Sequence, residues 1–164
     1  SSRADRPPGT ERWSERMAGP RIDHIHVTVR DIERAERFYD ALLPLLGFDL
    51  ALKERAVVRD RDYRLVEYHH AAFSLGIVSE RPQYSFDPVS RRRAGAMHHL
   101  AFRVDRPCEV DSVHDAVRRI PARVLHAPRY WPEYCVDYYA FFFKDSEGIE
   151  YEVASFARDV YFPV

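Results

Sequence analysis

Cysteine is scarce in this sequence. Its 164 residues hold two, Cys108 and Cys135, far apart and in no metal-type spacing, which excludes a cysteine-built metal site and leaves two free thiols suited to a reducing compartment. Long apolar runs are missing as well. No stretch approaches the roughly 18 unbroken apolar residues that a bilayer span needs, so no membrane helix is predicted. The N-terminal residues hold no apolar run of the kind a secretory signal uses, and a cytoplasmic location is the expectation. Neither sign of charge is in excess: 25 Lys and Arg face 26 Asp and Glu, for a net charge of -1. That balance gives no footing for nucleic acid or an anionic membrane as the main partner. The one basic run, Arg91-Arg92-Arg93, reads as a solvated loop.

Aromatic residues are plentiful, at 13% with ten Tyr and ten Phe, which suits either a large core or an apolar pocket. The chain is long enough for one compact domain, or for two small modules sharing a core. Residues 1–20 are charged, rich in Pro and Gly and without period, and read as a flexible tail.

From residue 21 the pattern changes. Ile22, Ile25, Val27 and Val29 form a β-branched run that reads as a strand. Asp31 follows as a helix N-cap. Ile32, Ala35, Phe38, Tyr39, Leu42 and Leu43 then repeat at the spacing of an amphipathic helix, ended by Pro44 and Gly47. Strand-like runs lie around 48–54, 62–70 and 72–79, and the polar segment 81–96 reads as a linker. The pattern then restarts. Residues 97–104, MHHLAFRV, match HIHVTV in residue type, Asp105 stands where Asp31 stood, a helix fits 109–119, and strands fit 121–127, 136–144 and 149–155. The chain thus reads β-α-β-β-β twice, over 21–80 and 97–156, with a C-terminal tail at 157–164.

The repeat sets His24 on His99, an offset of 75 residues. His24 and His26 share one face of their strand, because side chains alternate; His98 should point away from His99. Glu152 lies on one face of the last strand with Glu150 and Ala154. A carboxylate facing the interior of a half-buried strand needs a partner. Two imidazoles and a carboxylate supply one, and leave about three positions free on an octahedral ion. A lone strand histidine is more often structural than a ligand, so the pattern by itself leaves both readings open. Tyr138, Tyr139, His26, His69, His70 and His98 are candidates for acid–base work, of which His26 and Tyr139 are preferred. His69 and His70 must point opposite ways. His114 on the second helix is expected to be exposed, and the stretch YWPEYCVDYY is either a rim over a pocket or a loop packed on the sheet.

The runs IDHIHVTVRDIERAERFYDALLPLLGFDL and MHHLAFRVD, with the ending FFFKDSEGIEYEVASF, resemble the vicinal oxygen chelate superfamily of glyoxalases, bleomycin resistance proteins and extradiol dioxygenases. The likeness covers about residues 21–156. It implies an α+β fold in which two tandem β-α-β-β-β modules form a cup-shaped mixed sheet. It implies metal ligands five residues before Val29 and Val104, at His24 and His99, and four residues after Gly148, at Glu152. The turn Asp145-Ser146-Glu147-Gly148 lacks the proline usual there. A fourth ligand, present in glyoxalase-like members, would fall near Ser74 to Ile77, where no ligating residue stands. The three-ligand set is closer to the dioxygenase pattern. The resemblance therefore implies a homodimeric enzyme with a divalent ion (Fe, Mn, Ni, Co or Zn). Its small substrate would chelate that ion through neighbouring oxygens and react by ring cleavage with O₂ or by a lyase or isomerase step. A metal-free protein that binds an antibiotic in the same cup is the alternative.

Overall fold

The computed structural model describes residues 19–163; most of the expected N-terminal tail lies outside them. The first half runs β1 (His24–Val29), α1 (Ile32–Leu42), β2 (Asp49–Val58), β3 (Tyr63–His69) and β4 (Ser74–Ser79). The second runs β5 (Leu100–Arg103), α2 (Pro107–Val117), β6 (Arg123–Tyr130), β7 (Tyr139–Lys144) and β8 (Glu150–Ser155), with a short helix α3 (Arg158–Tyr161) after it. Each half folds into its own four-stranded mixed sheet, ordered β1-β4-β3-β2 and β5-β8-β7-β6. In each, the first strand pairs in parallel with the last, and the other pairings are antiparallel. The fold is the α+β arrangement of paired modules that the sequence implies.

Local chemistry sets the helix boundaries. Asp31 accepts from the Arg34 N–H at 2.9 Å, filling one of the donors a helix N-terminus leaves open. Pro44 and then Gly47, at φ +89°, close a 3₁₀ turn that only a residue without Cβ adopts freely. The second helix is started differently from the first. Asp105 does not cap it; Arg106 is the N-cap, Pro107 is the first helical residue, and the Glu109 carboxylate accepts from the Arg106 N–H at 2.9 Å. His114 is not exposed: its ring packs edge-on against Phe141 at 5.2 Å, because it sits one turn after Val110 on the buried face.

One core serves both halves. Ile32, Ala35, Phe38, Tyr39 and Leu42 of α1 pack on Val66, Leu75 and Ile77 of the first sheet and, in the same cluster, near Phe141, Tyr151 and Val153 of the second. Each Val, Leu, Ile or Phe side chain among them, removed from water, contributes on the order of 1.5–3 kcal/mol. Tyr39 joins the halves by polar contacts too. Its buried hydroxyl donates to Asp145 at 2.5 Å and lies 2.5 Å from the Tyr151 hydroxyl, which donates to it. Burial lifts both phenols far above their ordinary range. The helix-side faces of the two sheets are therefore turned toward each other, and their open faces look outward.

Candidate functional site

On the open face of the second sheet lies a cavity of about 490 Å³. His99, Glu150 and Glu152 stand on its floor with His98, His126 and Arg91. The alternation read in GIEYEVAS places Glu150, Glu152 and Ala154 on one face, while Tyr151 and Val153 enter the core. Glu152 is 3% exposed, and its carboxylate lies 3.4 Å from His99 Nε2. Burial pushes its acid upward from the ordinary value; the Tyr138 hydroxyl, donating at 2.6 Å, and His99 pull the other way. A buried carboxylate beside an unbonded imidazole nitrogen is a donor pair suited to a cation.

Several residues stand where alternation did not predict. His98 does not point away from His99: strand β5 starts only at Leu100, so both imidazoles face the cavity, with their Nδ1 atoms 2.8 Å apart. Tyr139 lies on the helix side and donates to Asp111 of α2 at 2.8 Å, whereas Tyr138 reaches Glu152. Arg91 stands in an exposed turn, as read, but its guanidinium lies 2.7 Å from buried Glu150. His126 was not among the acid–base candidates. Strand β6 shifts register on both sides of it, so no simple two-residue period assigns its face.

The stretch 130–139 forms a wall of this cavity. Trp131, Tyr134 and Tyr138 line it, with Trp131 packed edge-on against Phe142 and Tyr138 tilted against Phe156. Trp131 is held by its indole N–H, which donates to the Ala140 carbonyl at 3.1 Å, and by the Arg129 guanidinium 3.4 Å from its ring centre. Asp137 accepts from the Ala157 N–H and the Tyr161 hydroxyl, each at 2.8 Å. That contact docks α3 so that Tyr161 and Phe162, in the segment read as a tail, close the cavity's rim.

His24 is elsewhere. It sits on edge strand β1 of the first sheet, bonded to Asp23 at 2.8 Å, with its ring 4.8 Å from that of His26. Hydrogen bonding to Asp23 raises its pKa. It does not line the cavity of His99 and Glu152. His26 Nε2 pairs with Glu67 of β3 at 2.7 Å. Gly76 of β4 lies beside His26, the place that Glu152 holds beside Ala101 in the second sheet. The empty fourth position is thus a glycine. Of the adjacent pair, His69 joins this open face through Ser74 at 2.7 Å, and His70 stacks near Phe48 and Phe73.

Two tandem β-α-β-β-β modules, each a four-stranded mixed sheet whose first strand pairs in parallel with its last, are the fold of the vicinal oxygen chelate class. The chain belongs to the Glyoxalase/Bleomycin resistance protein/Dioxygenase superfamily, whose family model matches residues 21–153. No curated protein matches it by sequence. Among solved structures it is similar to a Bacillus halodurans protein provisionally described as a glyoxalase. The two share 21% identity with a TM-score of 0.64, over 87% of this chain and 98% of that one. A glyoxylase/bleomycin resistance protein/dioxygenase domain from Frankia sp. EAN1pec matches with 18% identity and a TM-score of 0.64, over 85% and 98%. The fosfomycin resistance protein FosX of Listeria monocytogenes, in complex with Mn(II) and sulfate, matches with 12% identity and a TM-score of 0.56, over 86% and 95%. At these identities the likeness is one of fold.

Proposed function

We propose that this chain is a metal-dependent enzyme in which His24, His99 and Glu152 hold one divalent ion (Fe, Mn, Ni, Co or Zn). The pairing of buried Glu152 with His99 at 3.4 Å on a cavity floor carries this reading. Because His24 lies on a sheet whose open face looks away from that cavity, the third ligand comes from a second copy, making the protein a homodimer. Its two free thiols, Cys108 and Cys135, suit a cytoplasmic setting. The ion would supply Lewis acidity toward two neighbouring oxygens of the substrate. The cavity supports a ring-bearing, uncharged substrate: its walls are aromatic, and Arg91 is already paired with Glu150. His98, His126 and Tyr138 are among the groups in it able to move a proton. Tyr138 also orients Glu152. Ring cleavage with O₂ fits this wall better than turnover of an anionic hemithioacetal.

Elemental analysis of protein never exposed to chelator, with and without His99→Ala, tests the proposal. A loss of about one transition-metal ion per chain in the variant is expected. Equal metal content in both proteins overturns it and favours the metal-free binding protein, for which the aromatic cavity within one chain speaks. Oxygen uptake with catechols, set against hemithioacetal consumption, separates the two chemistries.

A further inference from the structure

The open face of the first sheet carries a cluster that the proposed centre does not use. Register puts Glu67 of β3 opposite Glu54 of β2 on one side and Gly76 of β4 on the other, and sets His69 opposite Ser74. Ligand atoms of Glu54, Glu67 and His69 all lie within 4.8 Å of one another, the one such group of three among the described residues.

The imidazole is presented as a ligand would be. Ser74 Oγ lies 2.7 Å from His69 Nδ1. With that hydroxyl accepting from Nδ1–H, Nε2 turns its lone pair toward Glu54 at 3.4 Å and Glu67 at 3.9 Å. Neither separation is a good hydrogen bond, and in this tautomer a cation between the lone pair and the two carboxylates would satisfy all three donors. Donors held at ~2.1 Å from one ion lie roughly 3–4 Å from each other, which these separations match. Glu67 is itself steered: one oxygen lies 2.7 Å from His26 Nε2 and the other faces His69. Histidine and carboxylate partners of this kind fix the orientation of metal ligands.

The cluster also fills a gap in the repeat. In the second sheet, Glu152 on β8 stands opposite Phe142 on β7. In the first, the matching pair is Gly76 on β4 and Glu67 on β3. The acid has moved one strand inward, and the His26 ring occupies the space above the glycine.

We propose that this face binds a second divalent transition-metal ion through His69 Nε2, Glu67 and Glu54, with Ser74 and His26 as positioning residues. Mixed imidazole and carboxylate donors suit Co²⁺, Zn²⁺ or Mn²⁺. The site shares no ligand with the His24–His99–Glu152 centre.

Co²⁺ titration of the metal-stripped full-length protein, followed by its visible d–d absorption, tests this. The His99→Ala variant should still take up about one Co²⁺ per chain, and adding His69→Ala should abolish that uptake. The isosteric Glu67→Gln should weaken it about tenfold or more, as should Ser74→Ala, which keeps all three ligands. Circular dichroism checks that each variant is folded; should His69→Ala not fold, Glu67→Gln decides. If His99→Ala takes up no Co²⁺, or takes it up equally well with Glu67→Gln, the proposal is overturned. Failure of the His99–Glu152 centre looks different: His99→Ala would then leave the wild-type uptake unchanged.

Discussion

The Tyr138 hydroxyl donates to the Glu152 carboxylate at 2.6 Å, and so decides which way that buried acid faces. Tyr138 comes just before β7, on the cavity side, while its neighbour Tyr139 turns to α2. Tyr138→Phe removes one donor and little volume. Metal affinity at the His99–Glu152 centre should weaken about tenfold to a hundredfold, the usual effect of losing an outer partner of a ligand. Competition with a chromogenic chelator reads this directly, and an unchanged affinity would count against the assignment.

A ligand set drawn from two copies has a consequence in mixing experiments. His24→Ala and His99→Ala proteins should each lack the ion as pure samples. Refolded together, half of their mixed dimers' sites receive an intact His24 from one chain and an intact His99 and Glu152 from the other. Metal content and activity should therefore return in part on mixing. No recovery would mean that the three residues never share an ion.

Asp145 offers a test of the joint between the halves. It accepts from Tyr39 and from the Glu147 and Ile149 N–H groups, yet burial still pushes its carboxyl above the ordinary range. The folded chain then keeps this proton to a higher pH than the unfolded chain does. Its contribution to unfolding free energy should fall as pH rises from the ordinary carboxylate range toward neutrality. Asp145→Asn should flatten that part of the profile. Urea unfolding of both proteins at acid and neutral pH measures it, and parallel profiles would refute the claim.

At Gly76 an added Cβ would stand 2.5 Å from His26 Cδ2 and 2.9 Å from its Nε2. Gly76→Ala must displace the imidazole and break its 2.7 Å contact with Glu67. A destabilisation of about 1–3 kcal/mol is expected, as for overpacking generally. Thermal unfolding checks it; an unchanged midpoint would mean that His26 is not held there.

Much of this was legible in the sequence, and for particular reasons. The β-branched run with its Val-Arg-Asp turn, followed by an amphipathic stripe from Ile32 to Leu42, announces a strand and a capped helix. Its recurrence 75 residues later announces the second module. Glu152 could be placed because β8 pairs with β7 without a register shift, so that Tyr151 and Val153 enter the core and Glu152 faces the other way. His126 could not, because β6 slips register twice around it. His98 was misread because the strand begins after it. Glu67 does not stand at the offset of the repeat, and its partners, His26 and His69, come from pairings between strands that a linear pattern does not contain. The separation of His24 from His99 rests on Tyr39, whose distant partners Asp145 and Tyr151 no periodicity names.

The helix that carries Tyr39 binds the backs of both sheets, so a lone chain cannot bring its two open faces together without tearing that core apart. A centre built from His24 of one copy and His99 and Glu152 of another then exists only in pairs of chains. Its abundance at high dilution would rise with the square of the chain concentration. Specific activity would fall when the sample is diluted and return when it is concentrated, a behaviour that a self-contained chain would not display.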